Sequence, residues 1–137
     1  INACAATRLS QGELTWLTPE MIQAYCRLHA SGFAHSVECW QNGELVGGLY
    51  GVSLGKVFFG ESMFSLVSNS SKVAFAALAR QLSAWEFDMI DCQMKTGHLL
   101  RLGAREIPGA DFYRRLARGV ARETRKGKWH LSIQSLE

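Results

Sequence analysis

Three ionisable or amide side chains stand in segments that otherwise read as buried strand. Glu61 interrupts the apolar run Val57-Phe58-Phe59-Gly60-Glu61-Ser62-Met63-Phe64-Ser65, and Asp91 and Gln93 sit in Met89-Ile90-Asp91-Cys92-Gln93. Groups of this kind cost about 1–3 kcal/mol when buried without partners, and more when charged. Strand alternation puts Asp91 and Gln93 on one face, with Ile90 and Cys92 on the other. A carboxylate and an amide side by side can orient an attacking nucleophile. They can equally form a structural network that ties the strand to a loop, since perturbed carboxylates serve both ends. The expectation is that Asp91 and Gln93 line one cleft with Glu61 nearby, while Cys92 faces away into the fold.

The elements that would position these groups are legible in outline. Thr18-Pro19-Glu20 has the Thr cap, first-turn Pro and acid of a helix start, and Gly32 closes that helix. A strand over 35–40 leads into Asn42-Gly43, a strong hairpin signal, and strands over 44–52 and 56–64 complete a meander. A helix over 72–85 follows, with Val73, Phe75, Ala76, Leu78, Ala79 and Leu82 as its apolar stripe. Met89 to Gln93 reads as the fourth strand and 98–102 as a helical turn stopped by Gly103. Asp111 is expected to cap a helix over 112–123, and 129–133 reads as a final strand.

In that last helix Phe112, Leu116 and Val120 are expected to pack inward. Arg115, Arg118, Arg122 and Arg125 would share another stripe, either a plain solvated face or a track for a phosphate backbone. Seven of the fifteen basic residues fall between positions 114 and 128, although the net charge is only +3. The 137 residues, 47% of them hydrophobic, suit one globular domain spanning 1–137, with no repeat or linker. No apolar run of about 18 residues predicts a membrane span. Cys4, Cys26, Cys39 and Cys92 lack metal or dithiol spacing, which points to reduced thiols in a cytoplasmic protein. The chain begins with Ile1 rather than Met, read as processing or as a portion of something longer.

Several words in order resemble the leucyl/phenylalanyl-tRNA–protein transferase family. They are Trp16, Ala24-Tyr25-Cys26-Arg27-Leu28-His29, Ala34-His35-Ser36-Val37-Glu38, Leu45-Val46-Gly47-Gly48-Leu49-Tyr50-Gly51, the Gly60 to Ser65 run, Asn69-Ser70-Ser71-Lys72 and Ile90-Asp91-Cys92-Gln93. His98, Leu102-Gly103-Ala104 and Glu106-Ile107-Pro108 continue the order, so the likeness covers residues 4 to 116. The chain departs from the family pattern at Thr96, at Leu100-Arg101 and at Gly109, and the family's N-terminal domain is expected to be missing from it.

The resemblance implies an α+β, N-acetyltransferase-like (GNAT-type) fold with a mixed, mostly antiparallel sheet flanked by helices. It implies transfer of Leu or Phe from leucyl-tRNA or phenylalanyl-tRNA to proteins starting with Arg or Lys, by a monomer needing no cofactor. It casts Asp91 and Gln93 as the catalytic pair, with Glu61 contacting the aminoacyl-adenosine end or a cationic acceptor. Leu49, Phe58, Met63, Phe75, Leu78 and Ile90 become the side-chain pocket, and Trp16 a partner for the adenosine. The plainer reading of all seven is core packing. Two alternatives stay open: a CoA-dependent N-acetyltransferase, disfavoured because 65–72 contains no glycine, and a catalytically incomplete tRNA-binding domain.

Overall fold

The computed structural model describes residues 1–12 and 14–131. Its elements are α1 (Asn2–Ser10), α2 (Pro19–Ala30), β1 (Ala34–Gln41), β2 (Glu44–Leu54), β3 (Val57–Ser65), α3 (Ser70–Ala84), β4 (Met89–Asp91), α4 (Gly97–Arg101) and α5 (Gly109–Val120). The strands form one sheet in the order β1-β2-β3-β4, antiparallel except for the parallel β3–β4 pair. This is the α+β arrangement expected from the sequence. Among the described residues no helix is long and apolar enough to cross a membrane.

Local chemistry explains the elements. Thr18 Oγ1 accepts the Met21 N–H at 3.3 Å, with Pro19 in the first turn of α2. Asn42 and Gly43 both have positive φ, 52° and 81°, the signature of the tight turn joining β1 to β2. Adjacent residues of β2 serve opposite faces of the sheet. Leu49 packs with Val37, Phe58, Leu78 and Leu82 beneath α3, while Tyr50 joins Cys4, Leu17 and Phe64 beneath α1 and α2. Helix α1 gives no clear sequence signal because its buried residues, Cys4 and Ala5, are small.

Several expected boundaries shift. The fourth strand ends at Asp91, two residues early, because Gln93 takes φ 60° and turns the chain out of the sheet. The last helix runs over 109–120 with Pro108 rather than Asp111 at its cap. Its inward residues are Phe112, Leu116 and the buried Gly119, while Val120 is exposed. Arg122 and Arg125 therefore lie beyond the helix, and the expected four-arginine stripe does not exist as one face. The final strand expected over 129–133 lies partly outside the described residues, and 129–131 carry no regular structure.

The irregular segment after α5 acts as a strap across the α3 side. Thr124 Oγ1 accepts the Gly55 N–H at 2.7 Å, and Arg125 lies 4.2 Å from the centre of the Trp85 ring. Trp129 stacks on His35 at 3.7 Å and 9°. His35 is buried, and its Nε2 has no hydrogen-bond partner among the described residues. Burial, assisted by the neighbouring His29, lowers the His35 pKa to about 4.

Two predictions follow from this packing. A Cβ on Gly51 would sit 2.2 Å from the Phe59 carbonyl oxygen and 2.6 Å from the Phe58 ring. Gly51→Ala is expected to lower stability in urea unfolding by about 1–3 kcal/mol, and an unchanged midpoint would refute that close approach. Because His35 is held neutral, its contribution is complete above its unfolded pKa near 6.5 and is lost as pH falls towards 4. The melting temperature should fall across that window, and His35→Phe should flatten the fall.

Candidate active site

The site is built where β3 and β4 part. Their pairing runs from Val57↔Met89 to Phe59↔Asp91, after which β4 stops while β3 continues to Ser65. At the same level the β2–β3 register slips: Gly51 pairs with Gly60 and Tyr50 with Ser62, leaving Glu61 as the extra residue of a bulge. Bulges of this kind bend a strand and re-aim a side chain. A cavity of about 240 Å³ opens in the resulting wedge.

All six residues expected to form a side-chain pocket line this cavity: Leu49, Phe58, Met63, Phe75, Leu78 and Ile90. Glu61 and Gln93 line it too, as do Arg8, Tyr50, Ser62, Thr96 and His98. Leu49 and Met63 are cross-strand partners, and so are Tyr50 and Ser62 one step along. The bulge thus sets an apolar wall beside a polar one. At 240 Å³ the space is below the roughly 300–1,000 Å³ of sites for drug-sized ligands and is scaled to a single side chain.

Glu61 is held by Tyr25, whose hydroxyl donates to Oε2 at 2.8 Å. Burial first, and then this carboxylate, push the Tyr25 phenol well above its usual range. The Tyr25 ring meets Tyr50 edge-on at 5.2 Å and Trp16 at 6.0 Å. Trp16 is 42% exposed and does not line the cavity, so it stands outside the group that the wedge brings together.

Asp91 and Gln93 are arranged differently from strand alternation. Asp91 Oδ1 accepts the Gln93 backbone N–H at 2.8 Å, so the carboxylate braces the turn rather than lying beside the amide on one strand face. Asp91 lines a neighbouring open cleft of about 850 Å³, bounded by β4, α4 and α5. Gln93 lines both spaces. So does Cys92, which corrects the expectation that its side chain points away into the fold; burial still raises its thiol pKa. Thr96, a departure from the family pattern, caps α4 by accepting the Leu99 N–H at 3.2 Å. His98, read from sequence as a capping or network residue, is on the cavity wall.

The basic residues near α5 are largely occupied by the fold. Arg118 donates to Asp88 at 3.2 Å, and Arg122 lies 3.8 Å from the same carboxylate and 3.9 Å from Glu86. Arg114 pairs with Asp111. Arg105 and Arg115 line the larger cleft with no ion pair among the described residues. Arg8, Tyr25, Tyr50 and Ser62 were given no site role from sequence. The bulge that gathers them is a register shift between distant strands, and the one local feature in the sequence suited to it is the glycine before Glu61.

A mostly antiparallel sheet whose last strand splays from its neighbour beside an acyl-sized cavity defines an acetyltransferase-type fold. An aminoglycoside acetyltransferase from an uncultured soil metagenomic sample, solved with trehalose, superposes with a TM-score of 0.52 at 12% identity, covering 97% of this chain and 86% of its own. The sequence is more specific. Residues 1–117 match the family model described as leucyl/phenylalanyl-tRNA protein transferase, and the chain belongs to that family. A relative of that name from Nitrosospira multiformis is 58% identical over 137 residues, all of this chain and 59% of the relative. One from Desulfatibacillum aliphaticivorans is 58% identical over 133 residues, 97% of this chain and 57% of the relative. The chain thus spans under three-fifths of the length of these relatives.

Proposed function

We propose that this is the single catalytic domain of an aminoacyl-tRNA–protein transferase. It moves Leu or Phe from its ester on tRNA to the α-amino group of a protein beginning with Arg or Lys, a modification that marks cytoplasmic proteins for degradation. One observation carries the reading: six apolar residues, Glu61 and Gln93 converge on one side-chain-sized cavity. The donor's Leu or Phe side chain fills the apolar wall, which leaves its ester carbonyl at the rim, where Gln93 faces both the cavity and the open cleft.

The ester is already activated, so the domain mainly supplies proximity and orientation. The acceptor amine approaches from the larger cleft. An N–H of that amine donates to the Gln93 side-chain oxygen, aiming the nitrogen lone pair at the carbonyl carbon. A C–N bond forms, the C–O bond to the terminal ribose breaks, and the ribose oxygen leaves with a proton. Asp91 fixes the turn that presents Gln93. Its other carboxylate oxygen can relay the amine's surplus proton, directly or through water. Glu61, steadied by Tyr25, binds the donor end or a cationic acceptor.

Separate kinetic and binding measurements test these roles, using the chain alone and together with the portion of a relative that it does not span. Gln93→Ala or Asp91→Ala is expected to lower turnover on leucyl-tRNA by roughly 100-fold. Both should leave affinity for a leucyl-adenosine amide within about threefold, whereas Glu61→Gln weakens binding. Equal loss of binding in all three variants would assign them to the fold.

Contact with tRNA belongs to Arg105 and Arg115 rather than to the ion-paired Arg118 and Arg122. Replacing Arg105 and Arg115 together with Gln should flatten the slope of log affinity against log salt by about one to two units. An unchanged slope would remove that contact.

A further inference from the structure

The polar wall of the 240 Å³ cavity has more hydrogen-bonding capacity than the fold uses. Tyr50 is only 4% exposed, yet its hydroxyl has no hydrogen-bond partner among the described residues. The hydroxyl of Ser62, its cross-strand neighbour, is also buried without one; it faces the Cys4 thiol but closes no bond of normal geometry. Between them in sequence space and on the same cavity stands Glu61. Its Oε2 takes the Tyr25 proton, and its Oε1 accepts no hydrogen bond among the described residues. Buried polar groups are seldom left open in native proteins, and those that are call for a ligand or an ordered water.

The chemistry of the three groups narrows the ligand. Burial, reinforced by Tyr25, Cys4 and Glu61, holds the Tyr50 phenol above its ordinary pKa, so it stays neutral with lone pairs to offer. Ser62 offers an oxygen as well, and Glu61 supplies a negative charge. Arg8 lines the same cavity but is engaged in an interaction of its own within the fold. Two hydroxyl oxygens and a carboxylate around a small volume suit a primary amine, which donates up to three N–H bonds when protonated.

We propose that this wall is a subsite for the donor's own free α-amino group, with Tyr50 as a specificity-determining residue, an assignment that rests on the transferase reading above. An aminoacyl ester carries its amino group one bond from the carbon that bears the side chain. Seating that side chain against Leu49, Phe58 and Met63 therefore brings the amine to the neighbouring wall of Tyr50, Glu61 and Ser62. An N-acylated donor loses the charge and two of the N–H groups and adds bulk where the wall is closed. The domain accordingly selects free aminoacyl esters and refuses N-formyl or N-acetyl ones.

The probes are the leucyl amide of 3′-amino-3′-deoxyadenosine and its N-acetyl derivative, titrated calorimetrically against the whole chain. The free-amino probe should bind roughly tenfold to a hundredfold tighter, the range for losing a charge-assisted hydrogen bond. Tyr50→Phe, which keeps the ring in its packing, should cut that ratio severalfold by weakening only the free-amino probe. Ser62→Ala supplies a second reading should the first variant fold poorly. Equal binding of both probes, or an undiminished ratio in the variants, overturns the subsite and leaves the transferase reading standing. Binding of neither probe overturns both.

Discussion

The separation of β3 from β4 past Phe59 and Asp91 creates the cavity, and it is a constraint the chain must hold open against its own hydrogen-bonding tendency. Unpaired strand edges seek partners. Two local devices prevent closure. The bulge at Glu61 breaks the ladder rhythm of β3, and the positive φ of Gln93 takes the chain out of the sheet after only three residues of β4. The wedge is then kept from collapsing by cores on both faces, with Leu78 and Phe58 on the α3 side and Tyr50 and Phe64 on the other. Close packing transmits strain rather than absorbing it, so the shape of the wedge is set by residues distant from it.

The same geometry accounts for the division of charge. Asp88, adjacent to β4 and largely buried, draws Arg118 and Arg122 towards the foot of the sheet, anchoring α5 and the segment after it. Those arginines tie the fold together through partly exposed ion pairs. Glu61 has no ion pair among the described residues; a phenol holds it instead. A neutral donor orients a carboxylate without cancelling its charge, which is the distinction that the proposed contact with a cationic group would require.

Much of the fold was legible because its signals are local. The Thr18-Pro19 helix start, the Asn42-Gly43 turn and the stripe of α3 each declare themselves within a few residues. The apolar lining was legible only through resemblance, since Leu49, Phe58 and Leu78 look the same whether they fill a core or wall a pocket. What failed was strand alternation applied one residue too far. Cys92 and Gln93 follow a turn whose conformation is fixed by the Asp91 carboxylate accepting the Gln93 N–H, and no periodicity encodes that. The arginine spacing misled in a similar way, because it continues past Val120, where the helix ends.

These corrections alter the meaning of the Asp-x-Gln spacing. On a regular strand it would be a statement about two side chains sharing a face. Here it describes a carboxylate two residues before the amide it positions, the reach an Asp needs to accept the N–H of residue i+2. The intervening Cys92 is carried to the seam between the two cavities by the same turn, alongside Gln93. A longer acid would overshoot the bond, and a regular strand would aim Gln93 at one cavity alone. The spacing therefore builds a side chain that faces two cavities at once, which is the arrangement that the proposed joining of a donor to an acceptor requires.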